Sequence, residues 1–249
     1  MTASLGARVL DVDLVHPDSH EIGLLRAALV EHKVLFFPEA GLDDEAHVAL
    51  ASRFGRVRPL PEAERDPRSI PTVEDHPEIF VVDGNRPTRA NVWHTDVTFA
   101  ADPPIVGVLS MQTAPARGGD TLWSDTEAAL ATLSSPVRQL LTTLRAEHGR
   151  PGRTPRAVHP VVRKHPITGR AALYVNRGWT TSIRDLSPIE SSHLLGMLFE
   201  HMERPELTVR WSWSAGDVAA WDNRSTMHYV LDDFGDAERV AHLTWGYTS

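Results

Sequence analysis

The sequence predicts an α+β fold whose core is an antiparallel β-barrel or sandwich. Helical periodicity is concentrated early in the chain, many short strand-like segments follow, and the last third alternates apolar and polar residues with period two. Helices and strands do not alternate as regular βα units, which argues against a parallel sheet. The chain has 249 residues, a length that one β-rich domain commonly reaches, and its sequence has no internal repeat. We therefore expect a single domain over residues 1–249.

Two helices and one buried strand are predicted in the first quarter of the chain. Residues 7–15 have an extended character. Asp18, followed three residues later by Glu21, forms a capping box that predicts the start of a helix. The apolar run at residues 34–37 predicts a short buried strand, and a second helix is expected over residues 43–54.

The middle of the chain mixes loops, strands and one helical region. Residues 56–77 are rich in proline and charge and are predicted to be a loop, whereas residues 79–82 and 105–111 have strand character. Helical periodicity returns over residues 125–144. The glycines, prolines and basic residues of 148–156 predict a surface connection, either a lid or a linker.

The final part of the chain is predicted to contain one helix that begins near residue 187, followed by β-strands. Ser187, Pro188 and Glu190 supply a cap residue, a first-turn proline and a capping-box glutamate. Apolar residues then recur with period two over residues 207–213 and again over 239–247. The last third is therefore predicted to be sheet.

Composition excludes several classes of protein. The chain has 25 basic and 33 acidic side chains, and these charges are dispersed, so neither nucleic acid nor a membrane surface is an expected partner. The absence of cysteine excludes disulfides, thiolate metal ligands and a cysteine nucleophile. Because no secretory signal and no apolar run of about 20 residues is present, we expect a cytoplasmic protein.

A His-x-Asp pattern is the strongest candidate for chemistry. On an extended segment, His94 and Asp96 would point to one face about 6 to 7 Å apart, close enough to share a metal ion. His228 follows far downstream, and two histidines with one carboxylate form the facial triad of non-haem Fe(II) oxygenases. Arg239 then has two interpretations, a surface cation at a strand end or a fork that grips a carboxylate.

Several motifs together resemble one enzyme family. They occur in family order from about residue 5 to the end, and they cover residues 93–99, 118–123, 159–163, 165–170, 174–176, 209–211 and 216–229. On these segments the chain resembles the TauD/TfdA family of dioxygenases, which depend on Fe(II) and 2-oxoglutarate (α-ketoglutarate).

This resemblance implies a fold and a set of site residues. The family fold is a double-stranded β-helix, a jelly-roll core with flanking helices. Carried over residue by residue, the resemblance makes His94, Asp96 and His228 the Fe(II) ligands and catalytic centre. It makes Arg239 and Thr121 the residues that bind 2-oxoglutarate, with O2 as the second cosubstrate. Because the carboxylate of Asp96 is present, oxygenation is expected rather than the halogenation performed by relatives that lack it.

Departures from the family pattern bear on the primary substrate. Members that act on taurine place a second arginine four residues after the cosubstrate arginine, where this chain has Leu243, and a histidine near the position of Leu60. By family analogy Val97, Phe99 and Trp179 also line the pocket. We therefore expect hydroxylation of a small organic substrate other than taurine, with an apolar or neutral group beside Leu243.

Alternatives remain open from the sequence. The same cofactor chemistry could give desaturation or another oxidative rearrangement of a natural-product intermediate, on a free or carrier-attached substrate. A zinc hydrolase or a non-catalytic jelly-roll binding module would also use the triad, although a hydrolase leaves Arg239 and Thr121 without a role. A homo-oligomer is allowed.

Other histidines and tryptophans have ordinary structural explanations. Structural roles are expected for His159, His165 and His242, and core positions are expected for Trp211, Trp213 and Trp245.

Overall fold

The computed structural model describes residues 5–60, 71–84, 90–150, 152 and 154–248 of the chain. The helices among them are α1 (Ser19–His32), α2 (Asp44–Phe54), α3 (Thr126–Ala131), α4 (Ser135–Leu141) and α5 (Pro188–Met202). The strands among them are β1 (Ala7–Arg8), β2 (Val34–Phe37), β3 (Arg56–Val57), β4 (Ile79–Asp83), β5 (Val106–Thr113), β6 (Thr121–Asp125), β7 (Arg145–His148), β8 (Ala157–Pro160), β9 (Val162–Lys164), β10 (Ala171–Leu173), β11 (Thr180–Ile183), β12 (Thr208–Trp211), β13 (Val218–Asp222), β14 (Thr226–Val230) and β15 (Val240–Tyr247). The fold is mixed α and β.

Two sheets face each other across the main core. The larger sheet has the order β1-β2-β13-β5-β15-β3, with β4 paired to β15, and the smaller one has the order β12-β6-β14. Apart from the parallel pair β1 and β2, their strands are antiparallel. One buried cluster joins Phe36, Met111 and Trp245 of the larger sheet to Trp123 and Val209 of the smaller one. Shared burial of these side chains holds the sheets together.

Helices α1 and α2 cover the outer face of the larger sheet. Leu29 and Leu50 of the helices share a buried cluster with Leu35, Phe37 and Val108 of the strands. Because successive side chains of a strand point to opposite faces, β2 sends Phe36 into the main core and its neighbours under the helices. This explains why all four residues of β2 are buried.

A third layer packs against the smaller sheet. The three-stranded sheet β11-β7-β8 and the hairpin β9-β10 lie with α3, α4 and α5. Their shared cluster includes Leu141, Ile183 and Leu198 together with Met227 of β14. This layer therefore lies next to the strand that carries His228.

The local signals for helices are confirmed. Asp18 caps α1 and Ser187 caps α5, each with the complete capping box that the sequence predicts. The structure also has the buried strand at Val34–Phe37 and the helix at Asp44–Phe54, capped by Asp43.

Three predictions of local structure are met only in part. Of residues 7–15 only Ala7–Arg8 form a strand, because only these two pair with β2. The helical region 125–144 is two helices, since Ser134 and the proline after Ser135 begin a new helix. The predicted loop 56–77 contains β3, which pairs with β15, whereas residues 61–70 lie outside the described part of the chain.

The predicted surface connection at 148–156 is partly wrong. His148 ends β7 and is fully buried, and the backbone N–H of Gly149 donates to the carbonyl of Trp179 at 2.8 Å. Residues 151 and 153 lie outside the described part. Sequence composition does not indicate this strand, because β7 forms by pairing with β8 on one side and with β11, further along the chain, on the other.

Among the described helices, none is both long enough and apolar enough to cross a bilayer.

Candidate active site

His94, Asp96 and His228 converge at one point between the sheets. One ligand atom from each lies within 4.8 Å of the others. The Nε2 atoms of both histidines are 3.6 Å from the same oxygen, Oδ1 of Asp96. In the described part of the chain this is the sole group of three such side chains close enough to share a metal ion.

The backbone around the triad is different from the continuous strand expected at His94 and Asp96. His94 makes an isolated bridge to His228, in which each backbone N–H donates to the other's carbonyl at 2.9 and 2.7 Å. The chain then turns at Asp96. Val97 has a φ of 54°, a left-handed conformation that is costly for a β-branched residue. The strained turn, rather than strand alternation, directs the Asp96 carboxylate towards the two imidazoles.

Asn223 holds this turn from the opposite segment. Its Oδ1 accepts from the backbone N–H of Asp96 at 3.0 Å, and its Nδ2 donates to the Asp96 carbonyl at 3.1 Å. A third bond runs from Nδ2 to the carbonyl of Pro104 at 2.9 Å. The fully buried side-chain amide therefore fixes the backbone of the carboxylate-bearing residue.

Hydrogen bonds also orient the triad side chains. Nδ1 of His94 lies 2.7 Å from the carbonyl of Val92, and because a carbonyl only accepts, we assign the proton to Nδ1 and the lone pair to Nε2. The indole N–H of Trp245 donates to Oδ2 of Asp96 at 3.0 Å, which leaves Oδ1 facing the histidines. These orientations present acceptor atoms to a common point.

The electrostatics of the triad fit a metal cation. Burial raises the pKa of Asp96, while the neighbouring His94 and the Trp245 hydrogen bond lower it less. Burial, followed by the charge of His94, lowers the pKa of His228 well below its usual range. A buried carboxylate oxygen opposite imidazole lone pairs is unfavourable without a cation between them. Two nitrogens and one carboxylate oxygen are the donor set of non-haem Fe(II) sites.

Arg239 is a buried cation next to this centre. Its side chain is 1% exposed, and burial lowers its pKa to about 10, although Asp120 opposes that shift. Its Nε donates to the carbonyl of Gly119 at 2.8 Å and its Nη2 to the hydroxyl of Thr121 at 3.3 Å. No carboxylate in the described residues forms an ion pair with it. Asp120, the carboxylate whose charge acts on Arg239, is paired with Arg210. A buried guanidinium without an ion pair of its own is suited to bind an anion.

Gly119 permits the close approach of Arg239. Its φ is +70°, and a Cβ there would lie 3.0 Å from Cδ and 3.1 Å from Nε of Arg239. A larger residue would strain the backbone and push the guanidinium out of position.

Strand register places Thr121 near the triad. On β6, Thr121 and Trp123 lie two residues apart and so share a face, and Trp123 pairs directly with His228 of β14. The Thr121 hydroxyl accepts from the indole N–H of Trp213 at 2.9 Å and from Arg239. With both bonds accepted, its own proton is free for an acceptor in the site.

The five residues expected to line a substrate pocket belong to one apolar cluster. Val97, Phe99, Leu60 and Leu243 are buried in it, and Trp179 packs against it half-exposed. The rings of Phe99 and Trp179 meet edge to face with centroids 4.6 Å apart. The same cluster contains Trp245, the partner of Asp96, so the apolar side chains border the triad.

A buried polar network connects the triad turn to Trp179. The hydroxyl of Thr98 lies 3.0 Å from Nδ1 of His148 and accepts from Nδ2 of Asn176 at 3.3 Å. Oδ1 of Asn176 accepts the backbone N–H of Trp179 at 2.9 Å. Burial lowers the pKa of His148 to about 3, so this imidazole is neutral at physiological pH.

The remaining expectations for histidines and tryptophans fit the observed contacts. His159 bonds to backbone carbonyls, His165 to Asp222 and His242 to Asp44. Trp213 and Trp245 are core residues and Trp211 packs against the core.

Sequence reasoning missed the residues that support the site. Asn223 belongs to the motif at residues 216–229, which predicts no role for it, and the sequence predicts only core positions for Trp213 and Trp245. Alternation on the last strand indicates that Trp245 faces inward, but it gives no sign of the hydrogen bond to Asp96, which is 149 positions away.

Comparisons with known proteins agree with this geometry. A family model described as "Taurine catabolism dioxygenase TauD, TfdA family" matches residues 1–247. The chain is 37% identical to an α-ketoglutarate-dependent sulfate ester dioxygenase of Pseudomonas putida, over 95% of this chain and 84% of that protein. It is 34% identical to an alkylsulfatase of Acinetobacter baylyi, over 96% and 81%. The crystal structure of a taurine dioxygenase from Burkholderia xenovorans superposes with a TM-score of 0.89 at 38% identity, covering 100% of this chain and 89% of that one.

Proposed function

Because this chain belongs to the TauD/TfdA family and is a 2-oxoglutarate-dependent dioxygenase, we propose that it uses Fe(II) to hydroxylate a C–H bond of a small organic substrate. His94, Asp96 and His228 would hold the iron. When bound, Fe(II) supplies the redox chemistry that couples oxidation of 2-oxoglutarate by O2 to oxidation of the substrate. Hydrolysis and a purely binding role are set aside because the family is a dioxygenase family.

The buried guanidinium of Arg239, which forms no ion pair with a described residue, is the observation that carries the proposal. It lies beside Thr121, whose hydroxyl proton is free, and Thr121 shares a strand face with the partner of His228. A carboxylate bound here would accept from Arg239 and from Thr121 at once. 2-Oxoglutarate has two carboxylates, so one could lie on Arg239 while the other end reaches the metal.

We also propose a double-stranded β-helix within a single domain. Two antiparallel sheets share one core and enclose the triad, which supports that interpretation. The family match from residue 1 to residue 247 supports one domain.

The apolar cluster limits the choice of primary substrate. Phe99, Trp179, Val97 and Leu243 offer dispersion contacts and exclude water beside the triad, as an organic body with an oxidisable C–H bond requires. Leu243 supplies no charge, so we favour a substrate other than taurine at that wall. The relatives named for sulfate esters and alkyl sulfates make alkyl sulfates a sensible first class to assay. Desaturation from the same substrate position is a second outcome that product analysis separates from hydroxylation.

The test is an anaerobic titration of Fe(II)-loaded protein with 2-oxoglutarate, followed by visible spectroscopy. Bidentate chelation is expected to produce a weak charge-transfer band. The band should be absent in His228→Ala and require much more 2-oxoglutarate in Arg239→Gln. His242→Ala is the matched control, because that histidine bonds to Asp44 outside the site. A folded, iron-loaded wild-type protein without the band refutes the proposal.

A further inference from the structure

Arg150 follows β7 and is held against Trp179. Its guanidinium carbon lies 5.2 Å from the centroid of the Trp179 ring, within the range of a cation–π contact. Its Nε donates to the carbonyl of Gly178 at 3.2 Å. Two contacts therefore fix the position of a half-buried cation.

The segment that holds Arg150 lies directly against the triad. The backbone N–H of Gly178 donates to the carbonyl of Trp93 at 3.0 Å. A Cβ built on Gly178 would come within 2.7 Å of Cβ of His94, so only glycine allows this approach. Trp179 follows and meets Phe99, which lies three positions after Asp96. Arg150 thus contacts Trp179, which itself contacts Phe99 on the wall of the candidate substrate pocket.

The charge of Arg150 is not compensated within the described residues. Neighbouring arginines are paired, Arg177 with Glu203 and Arg184 with Glu147. Arg150 has no such carboxylate among the described residues, and the one hydrogen bond that its side chain makes to them uses Nε. Both terminal nitrogens therefore remain available as donors. The protein has a net charge of −8, so most of its surface does not attract anions. An arginine that is held in place without a carboxylate partner among the described residues can therefore bind an anion selectively at this one position.

Leu243 also belongs to the apolar cluster that forms the wall of the candidate pocket. Its side chain is buried and, unlike that of Arg150, carries no charge. Anion recognition by a side chain at that position is therefore excluded. Arg239 is occupied by the carboxylate of 2-oxoglutarate under the proposed function. Arg8 and Arg58 also stack on rings of this apolar cluster, those of Trp211 and Tyr247. Arg150 differs from them because its ring, Trp179, meets Phe99 and follows Gly178, which lies against His94.

We propose that Arg150 binds an oxyanion group of the primary substrate, a sulfate, sulfonate or carboxylate. The apolar body of that substrate packs on Phe99 and Trp179, with its oxidisable carbon towards the triad. The stacked, planar guanidinium is preorganised for a bidentate bond to the oxyanion. This inference rests on the proposed function, because it requires Arg239 to be used by 2-oxoglutarate.

Four probes with the same six-carbon chain test the proposal: hexyl sulfate, hexanesulfonate, hexanoate and the uncharged 1-hexanol. Each is titrated by calorimetry into wild-type protein loaded anaerobically with Fe(II) and 2-oxoglutarate. Turnover in air is then followed by succinate release. At least one anionic probe is expected to bind ten times more tightly than 1-hexanol, and the three anions rank the preferred group.

Variants separate charge from packing. Arg150→Met keeps an apolar stem without charge and should raise KM for the preferred anion at least tenfold, with kcat and the Kd of 2-oxoglutarate unchanged. Arg150→Lys should recover part of the affinity. Arg177→Met is the matched control, since Arg177 also stacks on a ring, that of Phe199, but is paired with Glu203. It should retain the wild-type preference.

The outcomes distinguish two failures. If no anion binds wild type better than 1-hexanol, or if Arg150→Met binds the anions as wild type does, the role of Arg150 is refuted. If 2-oxoglutarate itself fails to bind, the proposed function fails, and the calorimetric comparison of probes still decides whether Arg150 binds oxyanions.

Discussion

The indole N–H of Trp213 donates to the hydroxyl of Thr121 at 2.9 Å, across 92 positions of the chain. Because Arg239 donates to the same oxygen, Thr121 can act only as a donor towards a further group. A core tryptophan thereby sets the direction of a hydroxyl proton in the candidate cosubstrate site. Trp213 is a positioning residue in this arrangement, since it acts through Thr121.

Replacing Trp213 tests this relationship. In Trp213→Phe the Thr121 hydroxyl is free to rotate and to donate elsewhere. One neutral hydrogen bond contributes about 1 kcal/mol, so we expect the Kd of 2-oxoglutarate to rise about fivefold while metal affinity stays constant. Trp123→Phe is the control, because that buried indole N–H has no hydrogen-bond partner in the described structure. Equal changes in both variants would assign the effect to lost packing.

The stabilisation of the folded protein by 2-oxoglutarate should depend on Arg239. A ligand at one hundred times its Kd stabilises the folded state by about 2.7 kcal/mol. We expect that gain in stability in metal-loaded wild type. We expect none at the same 2-oxoglutarate concentration in Arg239→Met, because the variant lacks the buried cation that binds the carboxylate. Calorimetric melting with and without 2-oxoglutarate measures it. A variant that is stabilised as much as wild type would remove Arg239 from the site.

Trp245 should tune metal affinity through Asp96. Its N–H holds Oδ2 at 3.0 Å and so leaves Oδ1 for the metal. Loss of a group that orients a metal ligand typically reduces affinity ten- to hundredfold. We therefore expect Trp245→Phe to bind Mn(II) or Co(II) more weakly by about that factor in calorimetric titration. The Trp123→Phe variant should bind as wild type does, and unchanged affinity in Trp245→Phe would show that the bond has no such role.

Because of Asp222, the free energy of unfolding should fall as the pH is lowered into the acid range. Burial raises the pKa of Asp222, but the hydrogen bonds from His165 and Arg224, and the charges of these two residues, together lower it more, so the pKa lies below the usual aspartate range. A carboxyl group whose pKa is lowered by folding contributes stability that is present above the unfolded value, about 3.9, and is lost as the pH falls through the folded value.

We expect Asp222→Asn to lower the free energy of unfolding at pH 7 by about 2 to 4 kcal/mol, as for a broken buried ion pair. The difference from wild type should shrink below about pH 4, as the wild-type carboxylate is protonated. Urea unfolding from pH 7 to pH 3 measures both. The exposed Asp102→Asn should change stability by less than about 0.5 kcal/mol at every pH. A pH-independent difference for Asp222 would contradict the account.

Much of the fold could be predicted because its signals are local. The capping boxes of Asp18 and Ser187 each span three positions, and the buried strand at Val34–Phe37 is a continuous apolar run. A prediction failed at His148, whose strand pairs with the adjacent β8 and also with β11, which lies further along the chain.

The sequence by itself determined which chemical groups are candidates for the site. A His-x-Asp pattern and a second histidine predict a metal-binding triad, and the family resemblance adds the prediction that Arg239 and Thr121 bind 2-oxoglutarate. The tertiary structure decided how those groups are oriented. Asn223, Trp213 and Trp245 act on Asp96 and Thr121 from 92 to 149 positions away. Such contacts depend on how two sheets and a strained turn pack together, and no spacing along the chain encodes them.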